Sequence, residues 1–182
     1  MNWLNTLFIL LTAFLVVFWE AAFHGLGHLL RAQIDFLPPL MVYASLTSGL
    51  ATVTALAILG GLGFDALSAN PLGATVAPLF IVGMGIHLYR DLILRDQFFA
   101  QATLGLAASA AVPILTLVLL LTTGHIPLLG WGTLWQLIVM SLGGAIATPI
   151  LFEVFRFFHH WLGPPRLAES SFRSDREIRR GR

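Results

Sequence analysis

Apolar residues in this chain come in long runs separated by short polar breaks, a pattern of successive buried or lipid-facing helices rather than of half-buried strands. Six such segments are predicted. The first runs from about Trp3 to Ala22, with Glu20 near its exit, and at about 20 residues is long enough for the roughly 30 Å hydrocarbon core. The polar HGLGHLLRAQID follows it. The second, FLPPLMVYASL from Phe36 to Leu46, is only about 11 residues long and opens at Pro38-Pro39, so it is a short span or a piece held inside protein, because free backbone cannot face lipid. The third, Gly49 to Phe64, is rich in Ala, Gly and Thr, which permit close helix approach.

A more polar stretch, GFDALSANPLG from Gly63 to Gly73, separates the third segment from the fourth, PLGATVAPLFIVGMGIHLY. Pro71 suits the first turn of that fourth helix, and Pro78 predicts a kink within it. The fifth segment, Phe98 to Leu121, is studded with small residues and ends at TTGHIPLLGWG. The sixth, about Leu134 to Trp161, is longer than a span needs. Beyond Gly163-Pro164-Pro165 the composition turns polar and basic, which divides the chain into a six-span domain at 1–162 and a tail at 163–182.

Composition makes the membrane the expected solvent. Of 182 residues 57% are hydrophobic and 10% charged, against about 25% charged in soluble domains. The expected class is an all-α integral membrane protein with little mass outside the bilayer. The N-terminus has no basic region and no small-residue cleavage site, which predicts a retained first helix rather than a leader. With 0 cysteines, disulfides, thiolate metal sites and cysteine nucleophiles are excluded.

All 10 basic residues are arginines, and their positions give an orientation. Arg90 and Arg95 follow the fourth segment; Arg166, Arg173, Arg176, Arg179, Arg180 and Arg182 follow the sixth; the fifth and sixth segments are joined without one. The excess of Arg on cytoplasmic loops then puts the loop after the fourth segment and the tail in the cytoplasm; if the short second segment crosses, both termini are cytoplasmic and GFDALSANPLG faces outward, with Arg31 as the exception, partly offset by Asp35. The tail arginines fit a membrane-surface anchor, each attracted to anionic lipid by about 1 kcal/mol.

Candidate chemistry is sparse. Glu20, His24 and His28 fall at steps of four, a spacing that brings histidines to one metal, but Gly25 and Gly27 weaken the helix there and no H-E-x-x-H occurs. A polar collar is the expected reading, with no cofactor. Asp65 is an ionisable group beside a membrane segment, which raises ligand contact or catalysis. It has no second acid or histidine near it in sequence, and Ser68 or Asn70 suits the cap of the following helix, so a shaped turn is expected. Glu153 and Arg156 pair at i, i+3 on the sixth helix, before His159 and His160.

The order of these features resembles the rod shape-determining protein MreD family of bacterial cell-wall elongation. QIDFLPPLMVYASL, then GGLGFDALSANPLG, a helix ending HLYRD and a late helix with GGAIATPILFEVFRF carry the resemblance, from about Gln33 to Phe157. Its most specific part is Gly63, Asp65, Ser68, Pro71, Leu72 and Gly73, and Pro149 matches a proline of the family's last helix. The family often has Arg-Pro-Asp where this chain separates Arg31 from Asp35, and a basic stretch where this chain has SLTSG.

The resemblance implies a six-helix bundle of the bacterial inner membrane, similar in fold to the substrate-binding components of energy-coupling-factor transporters. It implies no enzyme activity and a scaffold role. The implied partners are MreC, a single-span protein, together with RodA, a class B penicillin-binding transpeptidase and MreB filaments. Candidate packing faces are Ala107, Ala108 and Ala111, and Gly143, Gly144 and Ala147, which serve a partner or the bundle interior equally well. The alternative is a small-molecule binding or transport component, which needs a polar cavity fed by Asp65, Asn70 and Gln101.

Overall fold

A computed structural model describes residues 3–22, 35–68, 70–93, 97–124 and 130–162. Among them are six α-helices, one short 3-10 turn and no strand: α1 (Trp3–Ala22), α2 (Leu37–Thr47), α3 (Leu50–Leu67), α4 (Val76–Leu88), the turn Arg90–Leu92, α5 (Phe98–Thr122) and α6 (Trp131–Leu162). Three are long and apolar enough to cross a membrane, in the stretches Leu50–Leu67, Phe98–Thr122 and Trp131–Phe158; the apolar stretches of α1, α2 and α4 are shorter. His24, His28, Arg31, Arg95 and all the tail arginines lie outside the described residues.

Side-chain contacts give the direction of each helix. Thr6 and Thr52 hydroxyls lie 2.9 Å apart, and further along Gly63 faces Val17, so α1 and α3 run parallel. Gly83 faces Met41 of α2 and Val53 of α3, Gly60 faces Leu37, and Gly61 faces Val76, which makes α2 and α4 antiparallel to α3. At the end where α1 begins, Phe8 meets Phe155 and Phe158 of α6 with ring centroids 5.3 Å apart in both pairs. The helices therefore alternate in direction, and the first and last lie together at one end, here the terminal end. The α3–α4 turn marks the other.

The centre of the bundle is α2. Its 11 residues rise only about 16 Å, and Leu37 through Leu46 are all buried. It touches each of the other five helices. The packing holds this segment inside protein, and it runs from one end of the bundle towards the other, antiparallel to α3. Tyr43 stacks on Phe155 at 4.1 Å and meets Phe152 edge-on at 5.0 Å, filling the space between α2 and α6 with aromatic area.

Helices α5 and α6 pair along an antiparallel seam of small residues. Gly105 and Ser109 on α5 oppose Gly144 and Thr148 on α6, two small-x-x-x-small patterns that let the backbones approach. A Cβ at Gly105 would overlap Thr148 Oγ1 and the Gly144 carbonyl, and one at Gly144 would overlap Ser109 Oγ. Of the candidate packing residues, Ala108, Gly144, Ala147 and Pro149 are buried in the bundle; Ala111 and Gly143 are half-buried and Ala107 is exposed. The buried four offer no face to a partner. Outward from the seam α6 presents Leu134, Ile138, Leu142, Ile146 and Ile150 as an exposed apolar row.

The seam predicts an asymmetry between glycines. Gly144→Ala should lower stability by about 1–3 kcal/mol through overpacking. Gly85→Ala, where nothing lies within 4 Å of the new methyl, should be neutral or stabilising by about 0.5–1 kcal/mol. Thermal unfolding of the two variants in one detergent checks this.

Candidate functional site

The acid in the polar break is not in a loop. Helix α3 continues to Leu67, past the expected end at Phe64, and carries Asp65 in its last turn, 2% exposed. From there Asp65 reaches across to the start of α4. Its Oδ2 accepts the N–H of Gly73 at 2.8 Å and of Thr75 at 3.1 Å, and its Oδ1 accepts the Thr75 hydroxyl at 2.6 Å. The same hydroxyl lies 3.1 Å from the Gly61 carbonyl. A carboxylate at a helix N-terminus also meets the positive end of the helix dipole.

This geometry corrects three expectations. Helix α4 begins at Val76, so Pro71 lies in the preceding turn, where its carbonyl accepts the Ala74 N–H at 3.1 Å. Gly73 has φ +90°, a left-handed conformation that interrupts any helix drawn through Pro71. Pro78 is the third residue of α4, where its missing N–H would be unpaired in any case, so it starts the helix and does not kink it. Ser68 and Asn70 do not cap α4. Ser68 ends α3, its N–H bonded to Phe64 O at 2.9 Å and its Oγ accepting the Asn70 N–H at 3.3 Å.

Of the motif residues, Asp65, Ser68, Pro71 and Gly73 come together in this turn. Leu72 points out of it at 73% exposure, and Gly63 lies against Val17 of α1. Sequence reasoning missed Gly61 and Thr75. A Cβ at Gly61 would lie 3.0 Å from Val76 Cα, so Gly61 allows the crossing and Thr75 ties it. The signal available was a Thr beside the first-turn positions of the helix facing a Gly-Gly pair.

Both ends of α2 are also closed by side chains. At its start the Phe36 N–H donates to Glu20 Oε1 at 2.7 Å and the Leu37 N–H to Asp35 Oδ1 at 2.8 Å. Pro38 and Pro39 have no N–H, and Leu40 donates to the Phe36 carbonyl at 3.1 Å. Every donor of that first turn is thereby used. Burial pushes the Asp35 carboxyl up to about 6, against the opposing pull of the Leu37 N–H. Glu20 thus works on α2, while the collar expected with His24 and His28 lies outside the described residues.

At the far end of α2, His87 Nδ1 lies 3.1 Å from the Ser45 carbonyl and so carries its proton there, and Arg90 donates to the Ser48 carbonyl at 3.4 Å. Carboxyls at the start and a cation at the end complement the dipole of this one helix. Asn5 Nδ2 donates to Ser48 Oγ at 3.2 Å, tying α1 to the same corner. Glu153 and Arg156 pair at 2.6 Å as expected, but both are exposed, and such pairs contribute little.

No group of three or more His, Cys, Asp or Glu side chains among the described residues is placed to hold a metal ion. An apolar groove of about 430 Å³ lies between α3 and α4, lined by Ile58, Leu62, Val76 and Phe80 below Gly73. Its one hydroxyl, Thr54, donates to the Leu50 carbonyl at 3.0 Å. The residues named for a polar cavity do not converge: Asp65 and Asn70 belong to the α3–α4 turn, whereas Gln101 is in the first turn of α5, which begins at the terminal end. Compared with family profiles, curated proteins and solved structures, the chain matches none of them.

Asp65 is thus placed as a clamp. Asp65→Ala, which leaves two backbone N–H groups without their acceptor and the Thr75 hydroxyl with the Gly61 carbonyl alone, should lower stability by about 3 kcal/mol and Asp65→Asn by less, since one oxygen remains. Unfolding curves in detergent, with Leu72→Ala as an exposed control in the same turn, check the ranking.

Proposed function

We propose that the chain is a non-enzymatic membrane scaffold of the bacterial cell-elongation machinery, a relative of MreD. It resides in the inner membrane with both termini in the cytoplasm and the α3–α4 turn on the outer side. In this reading it packs against the span of an MreC-like protein and, with RodA, a class B penicillin-binding transpeptidase and MreB, helps couple filaments to the peptidoglycan synthase. The short helices α2 and α4 complete a six-span bundle of the kind used by the substrate-binding components of energy-coupling-factor transporters.

One observation carries the scaffold reading. The polar break between α3 and α4 is spent on joining two helices: both Asp65 oxygens are occupied by the chain's own N–H and O–H groups. A general base or nucleophile needs an oxygen free for its substrate. The resemblance from Gln33 to Phe157 supplies the partners, and exposed apolar helix faces supply surface for packing.

Co-purification in mild detergent with the MreC homologue of the same genome tests the proposal. A complex that survives purification and is lost when that homologue's span is exchanged for an unrelated one is the expected result. No association, from a preparation that unfolds cooperatively and is therefore folded, would contradict it.

A further inference from the structure

Helices α1–α2 and α3–α4 repeat one construction in detail. In each, a carboxyl stands two residues before the end of the first helix: Glu20 before Ala22, and Asp65 before Leu67. In each, the residue that opens the second helix is itself in the right-handed helical region, Phe36 at φ −91°, ψ −6° and Thr75 at φ −90°, ψ −17°, with no cap from its own side chain. Cap residues ordinarily take extended angles and bond their own side chain back to the helix. Here the N–H of that residue goes instead to the carboxyl of the preceding helix, at 2.7 Å for Phe36 and 3.1 Å for Thr75.

The correspondence continues inward. The third helical position is proline in both, Pro39 and Pro78, and the fourth is leucine, Leu40 and Leu79, 0% and 1% exposed. Both leucine N–H groups bond the opening residue's carbonyl at 3.1 Å. The two hairpins also lie side by side in the same direction. Ser45 with His87 and Ser48 with Arg90 are both 42 residues apart along α2 and α4. The connections differ, with 16 residues from Glu20 to Phe36 against 10 from Asp65 to Thr75, which hides the repeat from any fixed-period reading of the sequence.

We infer that α1–α2 and α3–α4 are two parallel copies of one hairpin, each held shut by its own carboxyl latch, so that either can open at its outer end without the other. Parallel repeats related by an axis along the bundle are a known way to build membrane proteins, and here the repeated element is the latch rather than a length of sequence. Opening of the first hairpin frees the start of the central α2. Opening of the second frees the turn above the α3–α4 groove.

Amide hydrogen exchange on the full chain in detergent tests this. Glu20→Ala should speed exchange of Phe36 by about tenfold or more and leave Gly73 and Thr75 unchanged. Asp65→Ala should do the reverse, a tenfold change being what loss of one such bond produces. Should either alanine variant fail to fold, Glu20→Gln and Asp65→Asn, which keep the side-chain shape, are read the same way with a smaller factor. Release of both segments by either substitution, or of neither, would overturn the inference.

Discussion

Everything in this fold turns on the burial of α2. A helix buried from Leu37 to Leu46 keeps most of its backbone from water, and each buried terminal N–H and C=O group must find a partner inside the molecule or cost several kcal/mol. Glu20 and Asp35 meet the donors at one end, and two prolines remove two more. His87 and Arg90 meet carbonyls at the other. The residues that close α2 come from α1, from its own approach segment and from the end of α4, so closing the ends of one helix also fixes two others beside it.

The same economy explains where the small residues are. The two longest helices, α5 and α6, hold together through the Gly105–Ser109 and Gly144–Thr148 seam rather than through polar bonds. Packing area between backbones replaces the hydrophobic drive that lipid cannot supply. The charged groups of the described helices fall into two uses: latches at helix ends, and the exposed Glu153–Arg156 pair. That distribution leaves the outer apolar faces of α1 and α6 for lipid or for a protein partner.

Much of the architecture was legible in the sequence. The six segments, the odd shortness of FLPPLMVYASL and the structural character of the Asp65 turn follow from run length, turn chemistry and the absence of a second acid. The boundaries were not. Asp65 looked like a loop residue because its neighbours Gly63, Ser68 and Asn70 are turn formers, whereas the helix runs on and uses the acid as a remote cap ten residues from Thr75. Pro71 looked like a helix start because prolines favour that place, but the left-handed Gly73 intervenes. Glu20 was read with the histidines that share its spacing, although its partner is a backbone N–H in another helix, which local periodicity cannot report. Contacts of that kind are set by tertiary packing.

If α2 is the enclosed centre on which the other helices are assembled, it should be shielded from the lipid of a bilayer. Labelling the unmodified protein in vesicles with a lipid bearing a carbene-generating acyl chain measures this along the chain. Insertion should be found at Phe14, Phe18 and Leu59, which are exposed on α1 and α3, and along the outer row of α6, with none from Leu37 to Leu46. Labels recurring every three to four residues along α2 would mean that it faces lipid, and the account built on its enclosure would fail.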